Sequence, residues 1–128
     1  MRYDVRFFTL DEFRCKCGCG RVNIASGLVF LLDLMRARMD SPLIINSGYR
    51  CQEHNIAVGG AKNSRHTRGL AVDVACPKTH TFTMFINAAA PFFGWPGCEW
   101  LKYPNRGFMH LAIPAGNEKY WTGGEIYV

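Results

Sequence analysis

From Ser26 to Met39 the apolar residues Leu28, Leu31, Leu32, Met35 and Met39 recur on one helical face, with Asp33, Arg36 and Arg38 largely on the other. This 3.6-residue period predicts a core-packing helix, stopped by Asp40-Ser41-Pro42. The run Leu43-Ile44-Ile45-Asn46-Ser47 reads as a short buried strand, and the stretch from Gly48 to Gly69 reads mostly as loop. Alternation returns at Gly69-Leu70-Ala71-Val72-Asp73-Val74, where Leu70, Val72 and Val74 share one face of a strand while Ala71 and Asp73 share the other. A second helix is expected from His80 to Phe93, ended by Pro91 and the Gly94-Trp95-Pro96-Gly97 turn. A further strand, Phe108 to Ile113, puts Met109, Leu111 and Ile113 on one face and Phe108, His110 and Ala112 on the other, so His110 repeats the placement of Asp73. The sum is an α+β fold, a small antiparallel sheet with helices on one face.

Composition narrows this picture. A chain of 128 residues, 48% hydrophobic, is the right size for one globular domain spanning residues 1–128. No apolar run approaches the ~20 residues that cross a bilayer, and the opening MRYDVRFFTLDEF lacks the apolar segment of a secretory signal. No membrane span and a monomer are expected, and localisation stays open. Fifteen Lys and Arg against ten Asp and Glu give a net charge of +5, which suits polyanionic partners including cell-wall polymers. The arginines are scattered rather than gathered into a basic helix, so no nucleic-acid partner is expected.

Three of the six cysteines crowd into Cys15-Lys16-Cys17-Gly18-Cys19, an extended arm or tight loop, while Cys51, Cys76 and Cys98 stand apart. Reduced thiols, a disulfide from the cluster to a distant cysteine, and a second metal site all fit that pattern. A nucleic-acid-binding zinc knuckle is a further reading of the same cluster.

His66, Asp73 and His110 offer two nitrogens and one oxygen, a donor set suited to zinc with one tetrahedral position open. Ala71 and Ala112, being small, leave space beside them. On spacing alone the trio is no different from a hydrogen-bonded histidine and an ordinary surface aspartate. The surroundings decide. Ser64 to Asp73 fits SxHxxGxAxD, and upstream stand Asn46-Ser47-Gly48-Tyr49-Arg50, His54-Asn55 and Val58-Gly59-Gly60-Ala61. With Phe13 and its CxCGCG segment, Tyr103-Pro104 and Gly107-Phe108-Met109-His110, these motifs in this order resemble the zinc D-Ala-D-Ala peptidases of the hedgehog/DD-peptidase fold, specifically the short single-domain type of bacteria and phages.

The resemblance implies zinc held by His66, Asp73 and His110, and hydrolysis of peptidoglycan stem peptides or cross-links by a carboxypeptidase or endopeptidase. A lysis enzyme of endolysin type is one setting for such an activity. Arg50, in the family's SGYR segment, is then the group for a substrate carboxylate or carbonyl oxygen, to which its planar fork of donors is suited. Ser64 hydrogen-bonds substrate or shapes the turn. Many short relatives read HxD at the last strand, where this chain has Ala112, and none of Pro104 to Met109 is a useful proton acceptor. Glu99 is the nearest upstream carboxylate and becomes the expected catalytic base, provided that Glu99-Trp100-Leu101-Lys102 forms a strand beside that of His110. His54 lines the cleft or serves packing, and His80 faces solvent. Trp95, Trp100, Tyr103 and Trp121 are expected in the core rather than at the site. The rival is a non-catalytic zinc-containing cell-wall binding module, since the hedgehog signalling domain resembles these peptidases and carries a similar metal site.

Overall fold

The structure, a computed structural model, describes residues 1–127. Six strands and three α-helices follow in the order β1 (Arg2–Asp4), α1 (Ser26–Met39), β2 (Ile44–Ser47), α2 (Gln52–Ala57), β3 (Ala71–Ala75), α3 (Phe82–Phe93), β4 (Glu99–Tyr103), β5 (Phe108–Ala112) and β6 (Glu125–Tyr127). Strands β2, β3, β5 and β4 form an antiparallel sheet in that spatial order, while β1 and β6 pair antiparallel in a separate two-stranded ribbon. The fold is α+β, as the hydrophobic pattern predicts. No helix of the described residues is long and apolar enough to cross a membrane.

The core lies between the sheet and the pair α1 and α3. Val72, Val74, Met109 and Leu111 point from the sheet into it, against Leu28, Leu32 and Met35 of α1 and Phe85, Ala89 and Phe93 of α3. Burial of this one face is what fixes the register, since a one-residue slip would turn the apolar set outward. In the observed register Val72 stands opposite Leu111, and Asp73 stands opposite His110 on the other face.

Two expectations need correction. Asp33, assigned to the polar face of α1, is fully buried. Its carboxylate accepts hydrogen bonds from Tyr3 Oη at 2.5 Å and the Phe7 N–H at 2.9 Å, which tie the N-terminal segment to the helix. Helix α3 ends at Phe93 as expected but starts at Phe82 rather than His80, and it holds Pro91 inside its last turn, closing with the Gly94 N–H on the Ala90 carbonyl at 3.0 Å. The ring costs the helix an N–H only in its last turn, where the buried Phe93 holds the backbone in place. The segment 48–69 is mostly loop, as expected, but it also holds α2 and a 3₁₀ turn over Arg65–Arg68. Both are too short to display a hydrophobic period. The α2 cap is sulfur, with Cys51 Sγ accepting the His54 N–H at 3.4 Å, outside the usual Ser, Thr, Asp and Asn signal.

Candidate metal centre and its cleft

The 3₁₀ turn that carries His66 is capped by Ser64, whose Oγ accepts the His66 N–H at 3.2 Å and whose carbonyl accepts the Thr67 hydroxyl at 2.6 Å. This turn packs on β3 and buries the His66 ring to 1% exposure. His66 Nδ1 lies 2.8 Å from the Gly48 carbonyl oxygen. A carbonyl only accepts, so Nδ1 carries the proton and Nε2 presents a lone pair. That lone pair faces Asp73 Oδ1, 3.3 Å away.

His110 is fixed the other way round. Its Nε2 lies 2.8 Å from Glu99 Oε1 and donates to it, while its Nδ1 lies 3.1 Å from the same Asp73 Oδ1. Two imidazole nitrogens and a carboxylate oxygen therefore converge, all within 4.8 Å of one another. Burial disfavours the charged form of Asp73, yet the imidazoles of His110 and His66 outweigh it and hold the carboxyl well below the usual carboxylate range. Burial likewise opposes a proton on His110, but its bonds to Asp73 and Glu99 prevail and raise its pKa. The donor set, with each outer N–H tied to an acceptor, fits a zinc ion with one position left open.

Glu99 reaches His110 because β4 pairs with β5, as anticipated. Leu101 stands opposite His110 and Glu99 opposite Ala112, so the carboxylate occupies the face on which the HxD pattern would have set its acid. The second oxygen of Glu99 is 3.5 Å from Arg65 Nε. Arg65 is itself anchored by Nη1 on the Gly97 carbonyl at 2.7 Å and the Ile113 carbonyl at 3.1 Å. Asp73 and Glu99 are the carboxylates lining the cleft above the trio, whose volume is ≈ 540 Å³.

Arg50 also lines this cleft, with Gly59 to Ser64 as one wall. Its side chain makes no hydrogen bond or ion pair among the described residues, and its Nε is buried without a partner. Burial lowers its pKa, an effect that the charge of Asp73 partly offsets. A desolvated, unpaired guanidinium in a cleft is poised for an incoming carboxylate. Ser64 lines the cleft while capping the His66 turn.

Other expectations are redistributed. Ala71 and Ala112 are fully buried and do not border the cleft. His54 sits on α2 away from the lining, and Asn55 shapes the loop by donating Nδ2–H to the Ala61 carbonyl at 3.1 Å. Of the four aromatics only Tyr103 borders the cleft, stacked on Phe108 at 4.6 Å between ring centroids, with Arg106 over the other ring. Trp121 is buried in the core, and Trp95 is largely exposed. Sequence reasoning missed the Gly48 carbonyl, which has no side-chain signature, and Arg65, whose place between His66 and Ser64 was its one visible cue.

Known proteins resemble this chain over much of its length. The family described as Peptidase M15 matches residues 6–112, a span that includes Arg50, Ser64, His66, Asp73, Glu99 and His110. A zinc D-Ala-D-Ala carboxypeptidase of Streptomyces albus G is 29% identical over 103 residues, covering 71% of this chain. The matched part is 35% of that protein, so the chain spans about a third of the relative's length.

Proposed function

The chain belongs to the peptidase M15 family, and from that premise we propose that it is a zinc peptidase hydrolysing peptide bonds of peptidoglycan, in stem peptides or in their cross-links. The observation that carries this reading is the convergence of His66 Nε2, Asp73 Oδ1 and His110 Nδ1 in a cleft that also presents an unpaired Arg50. Zinc bound by this trio supplies Lewis acidity, polarising the scissile carbonyl and acidifying water towards a pKa of about 7.

The chain's own residues do the rest. Gly48 and Glu99 fix the tautomers of the two histidines, so that each presents its inner nitrogen. Arg50 binds a carboxylate or carbonyl oxygen of the stem peptide, orienting the bond to be cut. Glu99 takes a proton from the attacking water and returns it to the leaving amine, a role that falls to it because Asp73 is a ligand. Ser64 holds the His66 turn and offers the substrate a hydroxyl.

Mass spectrometry of defined muropeptides incubated with the protein tests this. Loss of a terminal D-Ala identifies a carboxypeptidase and scission of a cross-link an endopeptidase; either is expected to stop with a chelator and return with zinc. The second reading, a zinc-containing cell-wall binding module without turnover, draws on one observation: both oxygens of Glu99 already face partners, His110 and Arg65. Zinc-loaded protein that binds peptidoglycan yet releases no product between pH ~5 and ~9 would decide for it.

A further inference from the structure

The proposed reaction makes no use of the six cysteines, and four of them gather in one place. Cys15, Cys17 and Cys19 occupy alternate positions of the arm that follows the 3₁₀ turn Leu10–Phe13, and Cys51 caps α2. From Lys16 to Cys19 the arm runs through a turn and a bend, which bring its alternate residues together. Gly18, at a φ of 86°, then curls the arm with a left-handed conformation that a side chain would resist.

The result is a cage of sulfur. The four Sγ atoms lie within 4.8 Å of one another, with Cys15 to Cys17 at 3.5 Å and Cys17 to Cys51 at 3.6 Å. A disulfide would pair two sulfurs at about 2.05 Å. Four thiolates about 2.3 Å from one tetrahedral ion stand roughly 3.8 Å apart, and the observed separations match that spacing. A cluster of several irons would spread its sulfurs more widely. Two backbone donors face the cage, the Cys51 N–H at Cys15 Sγ and the His54 N–H at Cys51 Sγ, each at 3.4 Å. Such bonds favour the charged sulfur that a metal requires. Arg21, beside Cys19 and paired with Glu53 at 3.2 Å, brings a cation to the rim. Cys15 and Cys51 are buried while Cys17 and Cys19 are exposed, which leaves an entry path. Cys76 and Cys98 are not members.

We propose that Cys15, Cys17, Cys19 and Cys51 hold a second, structural zinc ion, separate from the His66–Asp73–His110 centre. Four protein ligands close the coordination shell, so this ion takes no part in hydrolysis. It staples the N-terminal arm to the residue next to Arg50, at the place where the Tyr49 N–H already bonds the Phe13 carbonyl at 2.9 Å.

Metal analysis of protein purified under reducing conditions tests the assignment. Two zinc ions per chain are expected in the wild type, one in Asp73→Asn and one in the double variant Cys15→Ser, Cys51→Ser. The double variant can fail to fold, so the deciding measurement uses the wild type. Cobalt-loaded protein is expected to show a near-ultraviolet sulfur-to-cobalt charge-transfer band, which the His, Asp, His centre cannot produce, and to keep it in Asp73→Asn. Absence of that band, iron in place of zinc, or disulfides among the four cysteines would each overturn the proposal. These outcomes do not depend on peptidase activity.

Discussion

Glu99 has two services to offer, accepting the Nε2–H of His110 and accepting a proton from water, and one pair of substitutions separates them. Glu99→Gln keeps an oxygen for His110 but cannot take a proton. If Glu99 is the base, kcat on a defined muropeptide falls by about 10²–10⁴-fold with zinc affinity near the wild-type value. Glu99→Ala removes both services and is expected to weaken zinc binding a further ~10–100-fold, read by competition with a chromogenic chelator. A glutamine variant that retains its kcat would confine Glu99 to positioning His110. At this scale the sequence was informative where chemistry resides in side chains: alternation put Asp73 and His110 on like faces, and SxHxxGxAxD singled out His66. It was silent on what orients the rings, because the Gly48 carbonyl is main chain and the bond from Glu99 crosses between strands.

Among the elements, the junction at the end of β2 concentrates the most constraint. A Cβ on Gly48 would lie 2.8 Å from both Cα and O of Phe13, backbone atoms that cannot swing aside. The same residue supplies the acceptor for His66. Gly48→Ala is therefore expected to destabilise the fold by about 1–3 kcal/mol, lowering the melting temperature, and to loosen zinc as the His66 ring loses its anchor. An unchanged melting temperature would show that the arm can retreat without cost. Long elements with a clear period, α1 above all, were legible with correct bounds because many residues vote on one pattern. The six-residue α2, capped by a cysteine, and the three-residue strands β1 and β6 were not, since their stability comes from distant contacts rather than local preference.

Seen whole, the molecule is divided by its sheet into an apolar side packed on α1 and α3 and a side that carries the proposed metal ligands. Substitutions on the two sides should fail in different assays. Leu111→Ala, which opens the core, is expected to cost about 2–5 kcal/mol of unfolding free energy in a urea titration. The folded fraction should keep its zinc. Asp73→Asn should instead lose the ion at the His66–Asp73–His110 centre and the turnover. Loss of zinc from natively folded Leu111→Ala would contradict so clean a division. The opposition of Asp73 and His110 across β3 and β5 has one more consequence. A strand displaced by a single residue would send one ligand into the core and present an apolar side chain in its place. Only the correctly aligned sheet can then gather all three donors, so an ion bound by the proposed trio during folding would act as a proofreader of strand pairing. It would reward the native alignment alone and withhold that stabilisation from every slipped competitor.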